Sequence, residues 1–361
     1  MSVNPALRIA DVTPILPPAP DGAILFANDF DRPLDRARYF EHGDAKGSFV
    51  WDPSEGMGAS GAMRCTFQKG QVAAGDLKIL FGRNPFRRGV RQSETFGEIY
   101  WRVYVKHEVG WQGNPAKLSR ATTMAGSDWS QGLMAHVWGG SGEVLCIDPA
   151  SGITDGVKKS VRYNDFEHLR WLGVRQGRTP IFSPVESGRW VCIESRVRIN
   201  TPGKKDGIFT LWVDGREEAH RADLDWHGSW NEWGINAVFL ENYWNRGSVR
   251  RQSRWFDNFM VSTKQIGPIL TSSAPTLTRT STSVGPWDLQ LASDFQGRDI
   301  VWTSGTSAAN VSLRRVERIE GKFMGSHQGY RALLQGGVYW GRVRERSAPT
   351  WSDWHSPFRV K

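Results

Sequence analysis

A chain of 361 residues is too long for one ordinary domain and suits two; its hydrophobic content of 39% is modest, but 18 Trp and 17 Phe supply the area for a substantial core. No run of about 18 apolar residues occurs, which excludes a membrane-spanning helix. The net charge of +9 favours an anionic polymer as partner, and because basic residues are dispersed among acidic ones without a nucleic-acid fold motif, nucleic acid is not expected.

In chain order, residues 1–21 hold no basic region followed by an apolar stretch, so no secretion signal is readable. The Pro-rich stretch 13–20 makes this segment an extended leader. Residues 23–30 predict an opening strand. Residues 96–106 predict the cleanest strand, with Ile99, Trp101, Val103 and Val105 on one face and Glu98, Tyr100, Arg102, Tyr104 and Lys106 on the other. Residues 132–138 predict another, and the turn-rich stretch 139–187 predicts long loops. The segments 188–207, 211–215 and 255–263 alternate apolar and polar residues, the period of a half-buried strand. Pro202-Gly203, Asp206-Gly207 and Asp214-Gly215 separate them with turn chemistry. Helical periodicity is nearly absent.

The order of these phrases over 188–269, and more weakly over 24–140, resembles the concanavalin-like jelly rolls of polysaccharide lyases, especially the alginate and glucuronan lyase-like groups. The fold expected is therefore all-β, a concanavalin-like β-jelly-roll sandwich over 22–269. A boundary falls near 266–275. Beyond it, the phrase Tyr339-Trp-Gly-Arg-Val-Arg-Glu-Arg346 followed by Trp351-Ser-Asp-Trp354 resembles the last hairpin of a fibronectin type III domain, so 270–361 is expected to be a smaller sandwich of that kind. There Arg342, Arg344 and Arg346 alternate onto one face and can stack with Trp351 and Trp354.

The resemblance implies a groove for an acidic polysaccharide and, in its sharper form, cleavage by β-elimination. In such lyases a cation neutralises the uronate carboxylate, a base removes the C5 proton and an acid protonates the leaving oxygen. Lys117, in Asn114-Pro-Ala-Lys-Leu-Ser-Arg120, resembles the functional Lys of the Lys-Leu-Pro-Gly loop in the alginate lyase group, with Ser119 and Arg120 in place of Pro and Gly. His136 shares its strand face with Met134 and Trp138, as either core or groove. Tyr163 and His168 bracket Asn164-Asp-Phe-Glu in the loop region, as binding groups or loop anchors. Glu241 and Tyr243 share one face of the segment 239–244, with Asn242 and Trp244 on the other. Lys117, His136, Tyr163 and Tyr243 are thus the catalytic candidates. Arg83, Arg120, His168, Glu241, Asn242, Trp244 and Arg246 are the substrate-binding candidates, Arg83 lying in a basic turn with Arg87 and Arg88.

Other chemistries find no support. His-Glu-x-x-His, Gly-rich phosphate loops and Gly-x-Ser-x-Gly are absent. So is the Glu-x-Asp-x-x-Glu arrangement of laminarinase-type jelly-roll hydrolases, and no short motif supplies the carboxylate pair of a retaining glycosidase. Cys65, Cys146 and Cys192 lack metal spacing and fit small buried thiols. No cofactor is expected, though a loop has room for a structural calcium ion. The rival expectation is a noncatalytic carbohydrate-binding or adhesive protein, at a cell surface or on a phage particle. Either reading places the chain outside the cell.

Overall fold

The computed structural model describes residues 7–10, 22–57, 61–184, 186–188, 190–268, 276–279, 286–293, 297–306, 310–312, 321–331, 333–334, 338–352 and 355–359. The Pro-rich stretch 13–20, the boundary residues 269–275 and Trp354 lie outside them. The protein is all-β: two eight-stranded antiparallel sheets form the larger part.

The first sheet runs, in spatial order, through Arg170–Trp171, Leu145–Ser151, Gln131–Gly139, Lys117–Met124, Ala237–Tyr243, Ala73–Leu80 and Glu41–Gly43, with Arg175–Gln176 also on Leu145–Ser151. The second runs through Arg216–Leu224, Gly207–Val213, Trp190–Arg198, Glu98–His107, Gln252–Ser262, Ala62–Phe67 and Phe49–Asp52, with Ile24–Asn28 also on Gln252–Ser262. One apolar core lies between them. Ile99, Trp101, Val103 and Val105 point into it from the second sheet; Leu118, Ala121, Leu133, Ala135, Val137, Val238 and Leu240 answer from the first. Burying each such large apolar side chain contributes about 1.5–3 kcal/mol. The Trp101 indole N–H is satisfied inside this core by Ser119 Oγ at 3.1 Å.

The turn chemistry acts as expected at Asp214-Gly215. Both residues have positive φ, 51° and 78°, and they close a two-residue hairpin between Val213 and Arg216. That is the backbone twist such hairpins require. The stretch 139–187 departs from the expectation of loops, because Leu145–Ser151 is a full strand of the first sheet. Pro149 hides it in the sequence. Proline cannot donate to a ladder, and here it falls where the outer pairing breaks, between Ile147↔Arg175 and Ala150↔Trp171.

The C-terminal part has its own core of Trp287, Leu289, Leu291, Val301, Trp302, Tyr339 and Val343 inside a five-stranded sheet ordered Gly321–Phe323, Ile300–Thr306, Trp287–Ala292, Val338–Glu345, His355–Arg359. A three-stranded sheet joins Leu7–Ala10 to Thr276–Arg279 and Asn310–Ser312. Part of the segment read as a leader is therefore a strand of this region. Trp351 stacks under Arg342 and Arg344, 4.7 and 4.6 Å from ring centre to guanidinium carbon, while Arg346 turns to Asp288 at 3.2 Å. The segment leading out of the larger part is held by Glu194, which accepts from Ile266 N at 2.7 Å and Gly267 N at 2.8 Å. Arg102 donates to the Gly267 carbonyl at 3.0 Å.

Candidate functional site

The outer face of the first sheet carries a line of polar and aromatic groups, placed there by register. Asp148, His136, Arg120, Phe239, Lys78 and Glu41 are successive cross-strand partners. Lys117 pairs with both Trp138 and Tyr243. In an unbroken strand Lys117 and Arg120, three residues apart, would point to opposite faces. A bulge between Lys117 and Ser119 brings both outward and leaves Leu118 and Ser119 in the core. A second irregularity lies between Leu240 and Tyr243 on the neighbouring strand.

Arg254, fully buried and contributed by the opposite sheet, holds the two distorted strands together. It donates to the Lys117 carbonyl at 3.0 Å, the Glu241 carbonyl at 2.8 Å and Asn242 Oδ1 at 2.8 Å. Burial lowers its pKa to about 10, and the rings of Phe67 and Phe256 flank it.

Beneath the surface Arg120 is engaged through both terminal nitrogens, while its Nε has no partner among the described residues. It donates to Glu241 Oε1 at 3.0 Å, to Asn164 Oδ1 at 2.9 Å and to the Tyr163 hydroxyl, and its Nη1 lies 3.5 Å from His136 Nε2. The Tyr163 hydroxyl also donates to Glu241 Oε1 at 3.3 Å. Burial holds this phenol well above its ordinary pKa, so it stays protonated. His136 is 1% exposed. Its Nδ1 lies 2.9 Å from the Asp148 carbonyl, an acceptor, which leaves Nε2 as the lone-pair nitrogen. Its ring packs against Trp138 and Trp171, with centroids 4.0 and 5.9 Å away. Burial, then Arg120, pushes its pKa well below the usual imidazole value.

Lys117 differs from these. Its ammonium makes no hydrogen bond among the described residues; the nearest carboxylate oxygen, Glu241 Oε1, is 3.9 Å away. It lies 4.7 Å from the ring centre of Tyr243 and 5.8 Å from that of Trp138. Burial lowers its pKa, opposed by Glu241 and assisted by Arg120 and Lys78. Tyr243 is 37% exposed, and its hydroxyl has no partner among the described residues. A cation with unused donors thus stands beside an accessible phenol.

The remaining candidates are not brought to this point. Asn242 and Trp244 lie on the inner side: Asn242 is bound by Arg254, and Trp244 is stacked on Trp111 in the core at 5.8 Å. Neither can line a groove, because the alternation that turns Tyr243 outward turns them in. Arg246 is exposed in the turn beyond the strand. Arg83 faces Trp233 at 5.6 Å in a separate cavity of about 400 Å³. That cavity lies beyond the Met124 end of the strand, about 23 Å along it from Lys117. His168 is exposed, its Nδ1 2.9 Å from Asp165 Oδ2. Asp165, Glu167 and His168 bring ligand-type atoms within 4.8 Å of one another, but Arg162 Nε already stands 3.5 Å from Asp165 Oδ1, a charge that disfavours a cation there.

Sequence reasoning missed Arg254, Asp148 and Trp171. Arg254 sits in an apolar strand where nothing marks it as reaching across the core. The other two depend on the strand that Pro149 concealed.

No family model matches the chain, and no curated protein matches it. Among solved structures, the chain is similar to the endo-β-1,4-glucuronan lyase from the fungus Trichoderma reesei, with a TM-score of 0.46, 13% identity, and coverage of 67% of this chain and 96% of that one. A marine alginate lyase from Aplysia kurodai gives a TM-score of 0.46, 14% identity, and coverage of 67% and 100%. For alginate lyase vAL-1 from Chlorella virus the values are 0.44, 13%, 63% and 100%.

Proposed function

We propose that the outer face around Lys117 and Tyr243 binds an acidic polysaccharide and cleaves it by β-elimination. The observation that carries this reading is the Lys117 ammonium, without a hydrogen bond among the described residues and 4.7 Å from the ring centre of the accessible Tyr243. A uronate carboxylate placed on Lys117 gains a charge-assisted hydrogen bond, and the negative charge that develops when C5 loses its proton is stabilised at the same point. Tyr243, as its phenolate, is the group at hand to take that proton, and the phenol so formed returns it to the leaving O4 as the C4–O4 bond breaks and the C4–C5 double bond forms. Tyr163, partly buried, and His136, fully buried, are both engaged with Arg120 and hold the floor of the site instead. Arg120 positions Glu241, and Glu241 balances Lys117 without binding it closely.

The rival reading, a noncatalytic glycan-binding protein, is favoured by one observation. Trp171 is 44% exposed and stacked on the exposed Phe166 at 6.2 Å, nearly parallel, which suits sugar stacking without chemistry. Incubating the purified protein with uronate polymers and following the absorbance of the unsaturated product separates the two. Product that disappears in Lys117→Ala supports the lyase. Retention on the polymer without product supports the binder. In either case we read the C-terminal region as a fibronectin type III-like spacer or docking module and the protein as acting outside the cell or on a phage particle.

A further inference from the structure

One strand over from Lys117 an open cavity of about 520 Å³ begins. Trp138, the register partner of Lys117, and Trp171 line it together with Cys146, Asp148 and Gln176. The two indole rings are 6.1 Å apart and inclined at 57°. Among the described residues no lysine, arginine or histidine lines this cavity, and Asp148 is the one carboxylate that does. The Asp148 side chain has no hydrogen bond or ion pair among the described residues, and burial raises its pKa above the usual carboxylate range. The Gln176 carbonyl is occupied by Ser141 N at 3.1 Å, which leaves the amide NH₂ as a donor.

We propose that this cavity is a subsite for an uncharged pyranose, so that the polymer held by the protein carries a carboxylate-free sugar beside the uronate bound at Lys117. The inference rests on the lyase reading for the neighbouring uronate, but not for sugar binding in the cavity itself. Inclined indole faces offer stacking area to the C–H face of a pyranose. Asp148 accepts from a sugar hydroxyl whether or not it is ionised, and the Gln176 amide donates to another. A uronate in the same place would lose its hydration against a carboxyl group, with no cation among the described lining residues and with the Lys117 ammonium, 5.8 Å from the Trp138 ring centre, already taken by the neighbouring uronate, a penalty that selects against it. Trp138, on the cavity lining, stands one strand spacing, about 5 Å, from Lys117, so neighbouring sugars of one chain laid across the strands reach both.

The test uses the full-length protein and two measurements. In the first, saturation-transfer NMR follows methyl β-glucoside, methyl N-acetyl-β-glucosaminide and methyl β-glucuronide on wild type, Trp171→Ala and Asp148→Asn. The binding that Trp171→Ala abolishes should be at least tenfold tighter for a neutral glycoside than for the glucuronide, whose remaining binding at Lys117 survives Trp171→Ala. Asp148→Asn should keep neutral-sugar binding, since the amide still accepts, and narrow the preference, since the carboxyl that disfavours a uronate is gone. Equal Trp171-dependent binding of the glucuronide, or no binding of either neutral glycoside, would overturn the proposal. In the second, product formation is compared on polyglucuronate and on a polymer alternating glucuronate with a neutral hexose. A preference of at least tenfold for the alternating polymer, erased by Trp171→Ala, is expected. Equal rates on both polymers would overturn the assignment of neighbouring sugars. Failure to cleave either polymer while neutral glycosides still bind would overturn the lyase reading and support the subsite.

Discussion

Lys117 and Tyr243 are register partners on adjacent strands, and the lysine ammonium lies 4.7 Å from the centre of the tyrosine ring. Tyr243 follows the alternation of Phe239 and Glu241, whereas Lys117 points this way only through a bulge. Each stands beside an irregularity in its strand, and Arg254 fixes both by binding the carbonyls of Lys117 and Glu241 from the far side of the core. The candidate chemistry therefore depends on a buried arginine that touches no substrate.

If Lys117 neutralises the uronate, Lys117→Ala should lower the rate of product formation by about 10²–10³, with an unchanged circular dichroism spectrum. The pH profile gives a second check. Lys117 must be charged to act, and burial lowers its pKa below the ordinary lysine value. Activity should therefore fall on the alkaline side as pH rises through that lowered value, and Lys117→Arg should move the fall to higher pH. Full activity of Lys117→Ala would remove the proposed role.

Arg120 and Glu241 form a buried pair at 3.0 Å, and Glu241 Oε2 has no partner among the described residues. Removing one charge strands the other, at a cost of about 3–5 kcal/mol. Arg120→Met should therefore lower the urea midpoint sharply, and Arg120→Met combined with Glu241→Gln should recover much of the loss. A double variant no better than the single one would show that the pair is not the source of the effect.

Buried histidines should make the larger part acid-sensitive. His227 is buried with its Nε2 unpartnered, and desolvation lowers its pKa to about 3. The unfolded chain takes up this proton near the ordinary value of 6.5, whereas the folded chain does so only near 3. The contribution to stability is thus complete above pH 6.5 and declines as pH falls from there towards 3, by about 1.4 kcal/mol per pH unit. His107 and His136 act in the same direction. Asp257, whose pKa burial raises, opposes them. Denaturation of His227→Gln at pH 7 and pH 5 should show a smaller difference than wild type.

Trp351 carries Arg342 and Arg344 on its ring, and Arg344 also binds Asp288 at 3.1 Å. Arg344→Ala should lower the stability of the C-terminal region by about 0.5–2 kcal/mol while leaving glycan binding unchanged. Separate unfolding transitions, followed by differential scanning calorimetry, would show which region responds.

Glu194 holds the backbone of Ile266 and Gly267, so Glu194→Ala should expose the segment that follows. Limited proteolysis should then cut near residues 266–275 faster than in wild type and yield two fragments. An unchanged cutting rate would mean that the segment is held by other contacts.

Local pattern was enough for the all-β class and for single strands, though not for Leu145–Ser151. Alternation in Glu98–His107 assigned Ile99, Trp101, Val103 and Val105 to the core because a strand has a period of two, and Asp214-Gly215 marked a hairpin because its backbone requires positive φ. Residue type singled out Lys117, Glu241 and Tyr243. What the sequence could not supply was the face on which Lys117 and Arg120 meet, since they share it only through a bulge, and a bulge leaves no periodic trace. Nor could it show that Arg120 would consume Tyr163 and crowd His136, leaving Tyr243 as the accessible phenol. Those outcomes follow from which strands become neighbours. The sheet sets Ala237–Tyr243 beside Lys117–Met124 although more than a hundred residues separate them in the chain, and only that long-range pairing puts a carboxylate, a guanidinium, an ammonium and a phenol on one surface.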